Sequence, residues 1–428
     1  MEILVWNDLP PSSRRAALQR PSDRVEKEIG RLVAGIFKEV QMDGDDALTS
    51  YSWQFDGVAV RDFVVDVPDI VEGVDEEDRA AVAVAVRNIR TFHERQGYTP
   101  IEVETQPGVT CRRVVRPLRR AGLYVPGGSA PLFSTLLMIA IPAQIAGVED
   151  LVVVTPPSKD GRVNPYVLEA ARQCGIKKII TVGGVQAIAA MAYGTKSVPK
   201  VDKIFGPGNV YVATAKGYAA TLPGGPAYDL PAGPSEVMVI ADDKANARFI
   251  AADLLAQAEH DPLAQVILLT TSMDVARGVA DETEKQLAML SRKDIATTAM
   301  SSARLVVVDG IQAALDIAND YAPEHLIMQV ENAESYVEDI QTAGSVFLGA
   351  YTPEALGDYA SGTNHVLPTA GAGRAYGGVS VESFQRTMTV QSATEGGLRD
   401  LGPTVERLAN LEGLDAHAKS IAVRLEGM

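Results

Sequence analysis

Four short stretches in the middle of the chain decide the fold: GLYVPGG at 122–128, LVVVTPP at 151–157, KIITVGG at 178–184 and VDKIFGPGN at 201–209. Each contains a short apolar or β-branched run, ends in a glycine- or proline-containing turn, and is followed by a helical pattern. The predicted helices cover 132–145, 163–174 and 185–192, and a fourth begins at Val210. Strands and helices that alternate in this way are typical of βαβ units with a parallel sheet.

The same alternation resumes after PAGPSE at 231–236. We predict strands at 237–241, 265–270, 304–309, 326–330 and 345–348, with helices at 246–259, 273–290 and 311–319. Before the sheets, residues 20–96 have a mostly helical pattern, with a short strand at 57–67 and a long helix at 76–93. A terminal helix is expected at 404–425. We therefore expect an α/β fold with two open parallel sheets, rather than a single barrel, with a helical N-terminal segment and a C-terminal tail.

Composition narrows the class of protein. A chain of 428 residues suggests two or three domains, and 46% apolar with 22% charged residues is ordinary for a globular protein. The net charge of −16 disfavours binding to nucleic acid or to an anionic membrane surface. The N-terminus lacks a basic region followed by an apolar run, so we expect a cytoplasmic protein. The two cysteines, Cys111 and Cys174, are too few for a disulfide framework or a thiolate zinc site, and neither has the setting of an activated thiolate.

Glycine-rich loops follow the strands of the first four units, at 124–128, 155–157, 183–186 and 206–209. Ligands of open parallel sheets bind beyond the carboxyl ends of the strands, where glycines let the backbone approach a pyrophosphate. No complete GxGxxG pattern is present, because Gly208 is followed by Asn-Val-Tyr. The spacing alone leaves two interpretations open: ordinary strand-to-helix turns, or an atypical dinucleotide site.

Histidines are scarce: the five are His93, His260, His325, His365 and His417. Gln257 lies three residues before His260, so both project from one face near the end of a predicted helix. Imidazole is a common zinc ligand, whereas a glutamine oxygen is an uncommon one. The pair either binds a metal, or His260 only interacts with the carbonyls at the helix end.

Three other segments combine histidine with carboxylates. Glu324 and His325 precede an apolar strand, and a histidine with a pKa near neutrality suits proton abstraction while a carboxylate can activate water. Asp358 and His365 share a polar loop, which favours a functional role. His417 lies near Glu412 but shares a helical stripe with apolar residues, so it is also compatible with a core or interface. Glu324 and His325 are likewise compatible with a simple strand start.

Taken together, the long motifs resemble histidinol dehydrogenase over nearly the whole chain. They are GLYVPGGSAPLFST (122–135), VPKVDKIFGPGN (198–209), PAGPSEV (231–237), QAEHDP (257–262), PEHLI (323–327) and GDYASGTNHVLPT (357–369). The resemblance implies a homodimeric, zinc-dependent enzyme that oxidises L-histidinol through the aldehyde to L-histidine, the last steps of histidine biosynthesis, with two NAD. It also implies incomplete Rossmann-like domains that bind NAD without the usual glycine pattern.

The resemblance also assigns roles to residues. The implied zinc ligands are Gln257, His260, Asp358 and His417. The implied proton-transfer pair is Glu324 and His325. The implied substrate contacts are Ser235, His365 and Glu412 together with the ligands and the proton-transfer pair. The implied NAD contacts are Tyr124, Gln186 and Asn209.

The division of the chain that we predict has four parts. Residues 1–25 form an N-terminal segment, 26–123 join 237–372 in a first α/β domain with the metal and catalytic residues, and 124–236 form a second domain on the NAD side. Residues 373–428 form a tail that crosses to the partner, so that Glu412 and His417 complete its site. Three alternatives stay open: a relative that oxidises another amino or sulfonated alcohol, a zinc hydrolase in which Glu324 activates water, and a non-enzymatic binding protein.

Overall fold

The computed structural model describes residues 1–20, 26–127, 132–231 and 233–427. Gly128 of the first predicted glycine loop lies outside the described residues. The strands are β1 (Ile3–Val5), β2 (Val64–Asp66), β3 (Ile101–Gln106), β4 (Val109–Pro117), β5 (Arg120–Tyr124), β6 (Asp150–Thr155), β7 (Lys178–Thr181), β8 (Lys203–Phe205), β9 (Ala227–Tyr228), β10 (Glu236–Ala241), β11 (Gln265–Thr270), β12 (Arg304–Val307), β13 (His325–Gln329), β14 (Ser345–Leu348) and β15 (Gln385–Ala393).

The helices between these strands have the following bounds: α1 (Pro11–Ala17), α2 (Glu26–Asp43), α3 (Asp45–Tyr51), α4 (Glu76–His93), α5 (Phe133–Ala146), α6 (Pro165–Gln173), α7 (Gly184–Tyr193), α8 (Val210–Thr221), α9 (Ala247–Ala258), α10 (Met273–Leu287), α11 (Lys293–Met300), α12 (Ile311–Tyr321), α13 (Glu354–Tyr359), α14 (Glu395–Leu411) and α15 (Asp415–Glu426). A short π-helical turn covers Ser52–Asp56. Among the described residues, no helix combines the length and the apolar character needed to cross a membrane.

Two open sheets organise the chain, which confirms the predicted fold class. The first has the strand order β1-β12-β11-β10-β13-β14, and all its neighbours are parallel. The second has the order β2-β7-β6-β5-β8-β9 and is parallel except for the edge strand β2. Helices cover both faces of each sheet, and apolar clusters fill the layers between them. Burial on both faces explains why the central strands are nearly continuous runs of apolar residues.

Strand pairing corrects part of the predicted division. Residues 26–123 were expected to join the first sheet, but β2 and β5 pair within the second. Helix α2 packs on α7 and α8 of the same unit through Val33 and Phe37, which are fully buried. Strand β1 was assigned to a separate N-terminal segment, yet it forms the edge of the first sheet beside β12. Hydrophobic patterns identify strands, but they do not say which sheet a short strand will join.

Two further elements differ from the sequence-based expectation. Strands β15, β4 and β3 form an antiparallel sheet that we did not predict as a unit, because its outer strands are separated by more than 270 residues of chain. The expected helix at 404–425 is wrong, since two helices, α14 and α15, meet at Gly413. Gly413 has a φ of +72°, which ends the first helix in the left-handed region that favours glycine. The other predicted boundaries, including the crossing of 373–428 to a partner, stay predictions.

Candidate active site

A cavity of about 390 Å³ lies between opposite edges of the two sheets. Ser235 and Glu324 directly precede β10 and β13, so they stand at the amino edge of the first sheet. Tyr124 ends β5 and Asn209 follows β8, so both stand at the carboxyl edge of the second sheet. The rule that ligands bind beyond carboxyl ends thus describes only one wall of this cavity. The cavity volume is within the range of small-molecule sites.

The other wall carries a buried polar cluster. Helix α9 runs back from the carboxyl edge to the amino edge of the first sheet, where Gln257 contacts the start of β10. Helix α13 packs against α9 and contributes Glu354 and Asp358. Gln257, Glu324, His325 and Glu354 are each less than 10% exposed. Since burying several ionisable groups together is costly, such a cluster indicates a functional role rather than a stabilising one.

His325 is at the centre of the cluster. Its Nδ1 donates to the backbone oxygen of Glu236 at 3.0 Å and lies 3.6 Å from Glu324 Oε2 and 3.9 Å from Glu354 Oε1. Its Nε2 lies 3.7 Å from Asp358 Oδ1 and makes no hydrogen bond among the described residues. The Nδ1 contact assigns the hydrogen of the neutral ring to Nδ1, so that in this form of the ring the lone pair is on Nε2.

The surroundings change the ionisation of these groups. Burial raises the pKa of Glu324 to about 8 and that of Glu354 to about 8. Burial acts to lower the pKa of His325, but the carboxylates of Glu354 and Glu324 outweigh it and hold that pKa well above 6.5. Carboxyl groups with a pKa near neutrality are suited to accept and return protons at physiological pH.

Ligand-capable atoms of His325, Glu354 and Asp358 all lie within 4.8 Å of one another. A cation beside them would relieve the repulsion between the carboxylates. Of the four predicted zinc ligands, only Asp358 belongs to this group. Gln257 lies next to it: in the amide orientation that satisfies both neighbours, its nitrogen donates to Glu354 and its oxygen accepts from the Glu236 N–H at 2.7 Å.

His260 and His365 both line the cavity, and both interact electrostatically with Asp358. His260 lines the cavity and is exposed at its rim. The surrounding protein lowers the pKa of His260 below 6.5, and the Asp358 carboxylate opposes that shift. His365 also lines the cavity, and its Nε2 lies 3.2 Å from Ser134 Oγ. The predicted substrate residues Ser235, His260, Glu324 and His365 therefore share one cavity.

The loop from Gly206 to Asn209 forms the second-sheet wall. Gly206 has a φ of +121°, and a Cβ there would lie 2.1 Å from the backbone oxygen of Tyr124, so only glycine fits. Asn209 caps α8 by accepting from the N–H groups of residues 211 and 212. A buried Lys216–Asp229 ion pair holds both the N–H and the C=O of Gly206. The backbone is thus held close to the cavity at the start of a helix, where an anion is favoured.

The third predicted NAD residue, Gln186, stands in the first turn of α7 and is only 1% exposed. Its Oε1 is buried without a hydrogen-bond partner among the described residues. The neighbouring Gly184 N–H donates to the Tyr124 hydroxyl at 3.3 Å, which brings α7 to the end of β5. Gln186 itself is not one of the residues that line the cavity.

Comparison with known proteins assigns the chain to a family. The family profile described as histidinol dehydrogenase matches residues 18–425. The chain belongs to the histidinol dehydrogenase family. It is 49% identical to a histidinol dehydrogenase of Xylella fastidiosa over 99% of both chains, and 48% identical to one of Salmonella choleraesuis over 100% of this chain and 98% of that one. A crystal structure of histidinol dehydrogenase from Elizabethkingia anophelis superposes with a TM-score of 0.93 at 45% identity, covering 100% of this chain and 98% of that one.

Two residues singled out by the family resemblance lie away from this cavity in the chain. Glu412 follows α14 and His417 lies in α15, and both side chains are exposed. Helix α14 packs on α15 and on β15 of the antiparallel sheet. No hydrogen bond or ion pair in the described part of the chain joins either residue to the polar cluster. The chain by itself therefore assembles the site without these two members of the predicted set.

Sequence reasoning missed Glu354 and Glu236, both of which belong to the candidate site of this family member. Glu354 is 1% exposed and contacts Gln257 and His325. In the sequence it follows a proline at a helix start, a common position for an acidic residue, so its type and position do not distinguish it. Glu236 stands inside PAGPSEV, a motif that we noted for Ser235 alone.

Proposed function

We propose that the chain oxidises L-histidinol through L-histidinaldehyde to L-histidine, the final steps of histidine biosynthesis, with NAD as the hydride acceptor. One observation carries the proposal: a single cavity is lined by the glycine loop at 206–209 and by Glu324, His260 and His365. In that arrangement, one substrate in the cavity could contact both the loop at 206–209, which is the candidate dinucleotide site, and the polar cluster that would transfer protons. Family membership supports an oxidoreductase with this substrate. A cytoplasmic location stays a prediction.

The donor set fits the implied zinc ion. Gln257, His260 and Asp358 come from α9, the turn after it and α13, and supply two oxygen donors and one nitrogen, a combination that zinc accepts. Among the described residues, Nε2 of His325 and Oε2 of Glu354 are buried without a hydrogen-bond partner, which fits a place that a cation would occupy. When bound, zinc would supply positive charge that holds the imidazole and amine of the substrate. The predicted fourth ligand, His417, would come from a second subunit.

The residues of the second sheet fit NAD, which when bound accepts the hydride in each oxidation step. Gly206 and Gly208 line the cavity without a side chain, and α8 begins just after this loop. Tyr124 is buried beside this loop, and burial raises the pKa of its phenol to about 12, so it stays neutral. A neutral phenol ring next to open backbone is suited to pack against the dinucleotide without repelling its phosphates.

His325 would receive the substrate proton in both oxidations. The ring is held by the Glu236 carbonyl on Nδ1, so Nε2 is the atom that accepts the proton of the alcohol and later that of the hydrated aldehyde. The carboxylates of Glu354 and Glu324, 3.9 Å and 3.6 Å from Nδ1, would stabilise the charge that the ring gains with the proton. A ring fixed on one side keeps Nε2 in a constant position, which lowers the entropic cost of reaching the transition state.

Glu324 would activate the water that hydrates the aldehyde between the two oxidations. Its Oε2 accepts the Glu236 N–H at 2.9 Å, and the residue lines the cavity. In its ionised form, the Glu324 carboxylate can take a proton from water in the transition state and return it afterwards. We expect Glu324→Gln to retain alcohol oxidation better than aldehyde oxidation. Equal losses in the two half-reactions, measured separately with histidinol and histidinaldehyde, would contradict this division.

The overall proposal is tested by the absorbance of NADH after protein, NAD and L-histidinol are mixed. Two NADH for each histidine formed is the expected result, and no NADH with any amino or sulfonated alcohol would refute it. NADH formed faster with a different amino or sulfonated alcohol would favour the alternative substrate. Treatment with a strong chelator should abolish turnover and added zinc should restore it, whereas full activity after verified metal removal would exclude the four predicted ligands.

The subunit arrangement is also a proposal: the chain forms a homodimer in which Glu412 and His417 reach the partner's cavity. Both residues are exposed on a tail that packs on the antiparallel sheet. The same tail leaves Leu408 57% exposed and Leu411 67% exposed, next to Leu414 at 41%. Exposed leucines in adjacent turns are unusual for a free surface and favour contact with a second chain.

A further inference from the structure

The backbone of Glu236 contacts three side chains of the candidate site. Its N–H lies 2.9 Å from Glu324 Oε2 and 2.7 Å from the amide oxygen of Gln257. Its C=O accepts from His325 Nδ1 at 3.0 Å. One peptide segment at the start of β10 therefore sets the position of the proton-transfer pair and of a predicted metal ligand.

The side chain of Glu236 is itself fixed, although it points away from these groups. Arg20 binds it with two hydrogen bonds, Nε to Oε1 at 2.5 Å and Nη2 to Oε2 at 3.0 Å. The N–H of Ala370 adds a third contact to Oε1 at 3.1 Å. Glu236 is 3% exposed, so this carboxylate depends on the guanidinium for compensation of its buried charge. A two-point contact with a planar guanidinium fixes orientation as well as distance.

Arg20 also holds the segment that leads into the catalytic pair. Its Nη2 donates to the backbone oxygens of Tyr321 at 2.9 Å and Ala322 at 3.4 Å. Its guanidinium stacks over the ring of Tyr321 at 3.8 Å. Ala322 has a φ of +54°, a conformation that alanine adopts only when its surroundings enforce it. Two residues later the chain reaches Glu324.

We infer that Arg20 and Glu236 are positioning residues for the proton-transfer pair. Arg20 joins two backbone segments. One is residue 236, whose backbone contacts Glu324 and His325, and the other is residues 321–322, which precede them in the chain. In the described part of the chain neither residue lines the substrate cavity. Arg20 lines a separate pocket of about 280 Å³ with Trp6, Arg14 and Tyr321. The inference rests on the proposed function, because it takes Glu324 and His325 as the groups that move protons.

Arg20→Ala should lower kcat while leaving the binding of NAD nearly unchanged. A displacement of reacting groups by about 1 Å can cost up to about 100-fold in rate, so we expect a loss between about 10-fold and 100-fold. The KM for NAD should change by less than about threefold, because the proposed NAD wall belongs to the second sheet and the Arg20 contacts among the described residues are with Glu236, Tyr321 and Ala322. Arg20→Lys keeps the charge but loses the two-point contact, so its kcat should lie between those of Arg20→Ala and the wild type.

Chemical rescue separates positioning from simple stabilisation. The pocket beside Arg20 is open to solvent, so guanidinium ion at a concentration well below the denaturing range should enter the space left in Arg20→Ala and restore part of kcat. Arg14→Ala is the matched control. Arg14 lines the same pocket and stacks on Trp6, but within the described part of the chain its guanidinium bonds only the backbone oxygens of Trp6 and Asn7. Arg14→Ala should keep wild-type kcat and show no response to guanidinium.

The outcomes are distinct. If the wild type does not oxidise histidinol, the proposed function fails, and the inference fails with it. If the wild type is active and folded Arg20→Ala keeps its kcat, only the inference fails. Should Arg20→Ala not fold, Glu236→Gln gives the second test: it retains a hydrogen-bonding side chain of the same length, and an unchanged kcat in that variant would overturn the inference. An equal loss in kcat for Arg14→Ala would also overturn it.

Discussion

The ion pair between Lys216 and Asp229 offers a sharp test of how the second-sheet wall is held. Lys216 Nζ lies 2.6 Å from Asp229 Oδ1 and 2.7 Å from the Gly206 oxygen, and Asp229 Oδ2 accepts the Gly206 N–H at 2.8 Å. The two side chains are 1% and 0% exposed. Both backbone groups of Gly206 are thus bound by one buried pair.

Lys216→Met removes the charge and keeps most of the side-chain volume. Asp229 then stays buried with two backbone donors and no cation, and breaking a buried pair in this way typically costs about 3–5 kcal/mol. Lys244→Met is a matched control, because Lys244 binds Glu331 at the same 2.6 Å but the two side chains are 65% and 62% exposed. An exposed pair contributes about 0–1 kcal/mol.

The free energy of unfolding of both variants is measured by denaturant titration at one protein concentration, so that any dimer contributes equally. Lys216→Met should also raise the KM for NAD, because the loop at 206–209 loses its anchor, while Lys244→Met should leave it unchanged. A loss in Lys216→Met no larger than that in Lys244→Met would refute the reasoning. If Lys216→Met is destabilised but its KM for NAD is unaltered, the proposed role of the ion pair in holding the loop at 206–209 is refuted.

Three further predictions use other features. Gly206→Ala should destabilise the protein and raise the KM for NAD, since its Cβ would lie 2.1 Å from a backbone oxygen of β5; Gly217→Ala, with open space around it, should do neither. Mixed and refolded His417→Ala and His325→Ala chains should recover about a quarter of wild-type activity, because half of the dimers are mixed and each has one complete site; inactive, verified heterodimers would exclude the tail crossing. Burial raises the pKa of Asp56 to about 6, so the folded state binds this proton more tightly and the free energy of unfolding falls as pH rises from 3.8 to about 6. Asp56→Asn should remove that part of the slope in urea titrations, and an unchanged slope would contradict the assignment.

Much of the fold could be predicted because most strands and helices are indicated by apolar periodicity and turn residues close together in the sequence. Strands β11 and β14 were predicted with their observed limits, and α9 was found to within one residue at each end. These elements are bounded by turn or capping residues, and their apolar periodicity agrees with their burial on both faces of a sheet. The short strands β1 and β2 were harder, since three residues hold too little pattern to show their partners.

Part of the candidate site could also be predicted from local sequence patterns. Glu324 and His325 stand out as a charged pair at the start of an apolar strand, and the structure brings them next to Asp358. Glu354 did not stand out, because its importance comes from its burial against Gln257 and His325 and not from its neighbours in the sequence. The same holds for Arg20, which is separated from Glu236 by 216 residues.

The sequence by itself determined the class of fold, the strand-to-helix turns and the family, since each depends on residues close together in the chain or on motifs in a fixed order. Only the tertiary structure decided which sheet each short strand joins, that the amino edge of one sheet faces the carboxyl edge of the other, and that the backbone of Glu236 contacts Glu324 and His325. Those features depend on contacts between residues far apart in sequence. The free energy that stabilises these contacts comes from burial and strand pairing in the folded chain, so a local sequence pattern does not predict them.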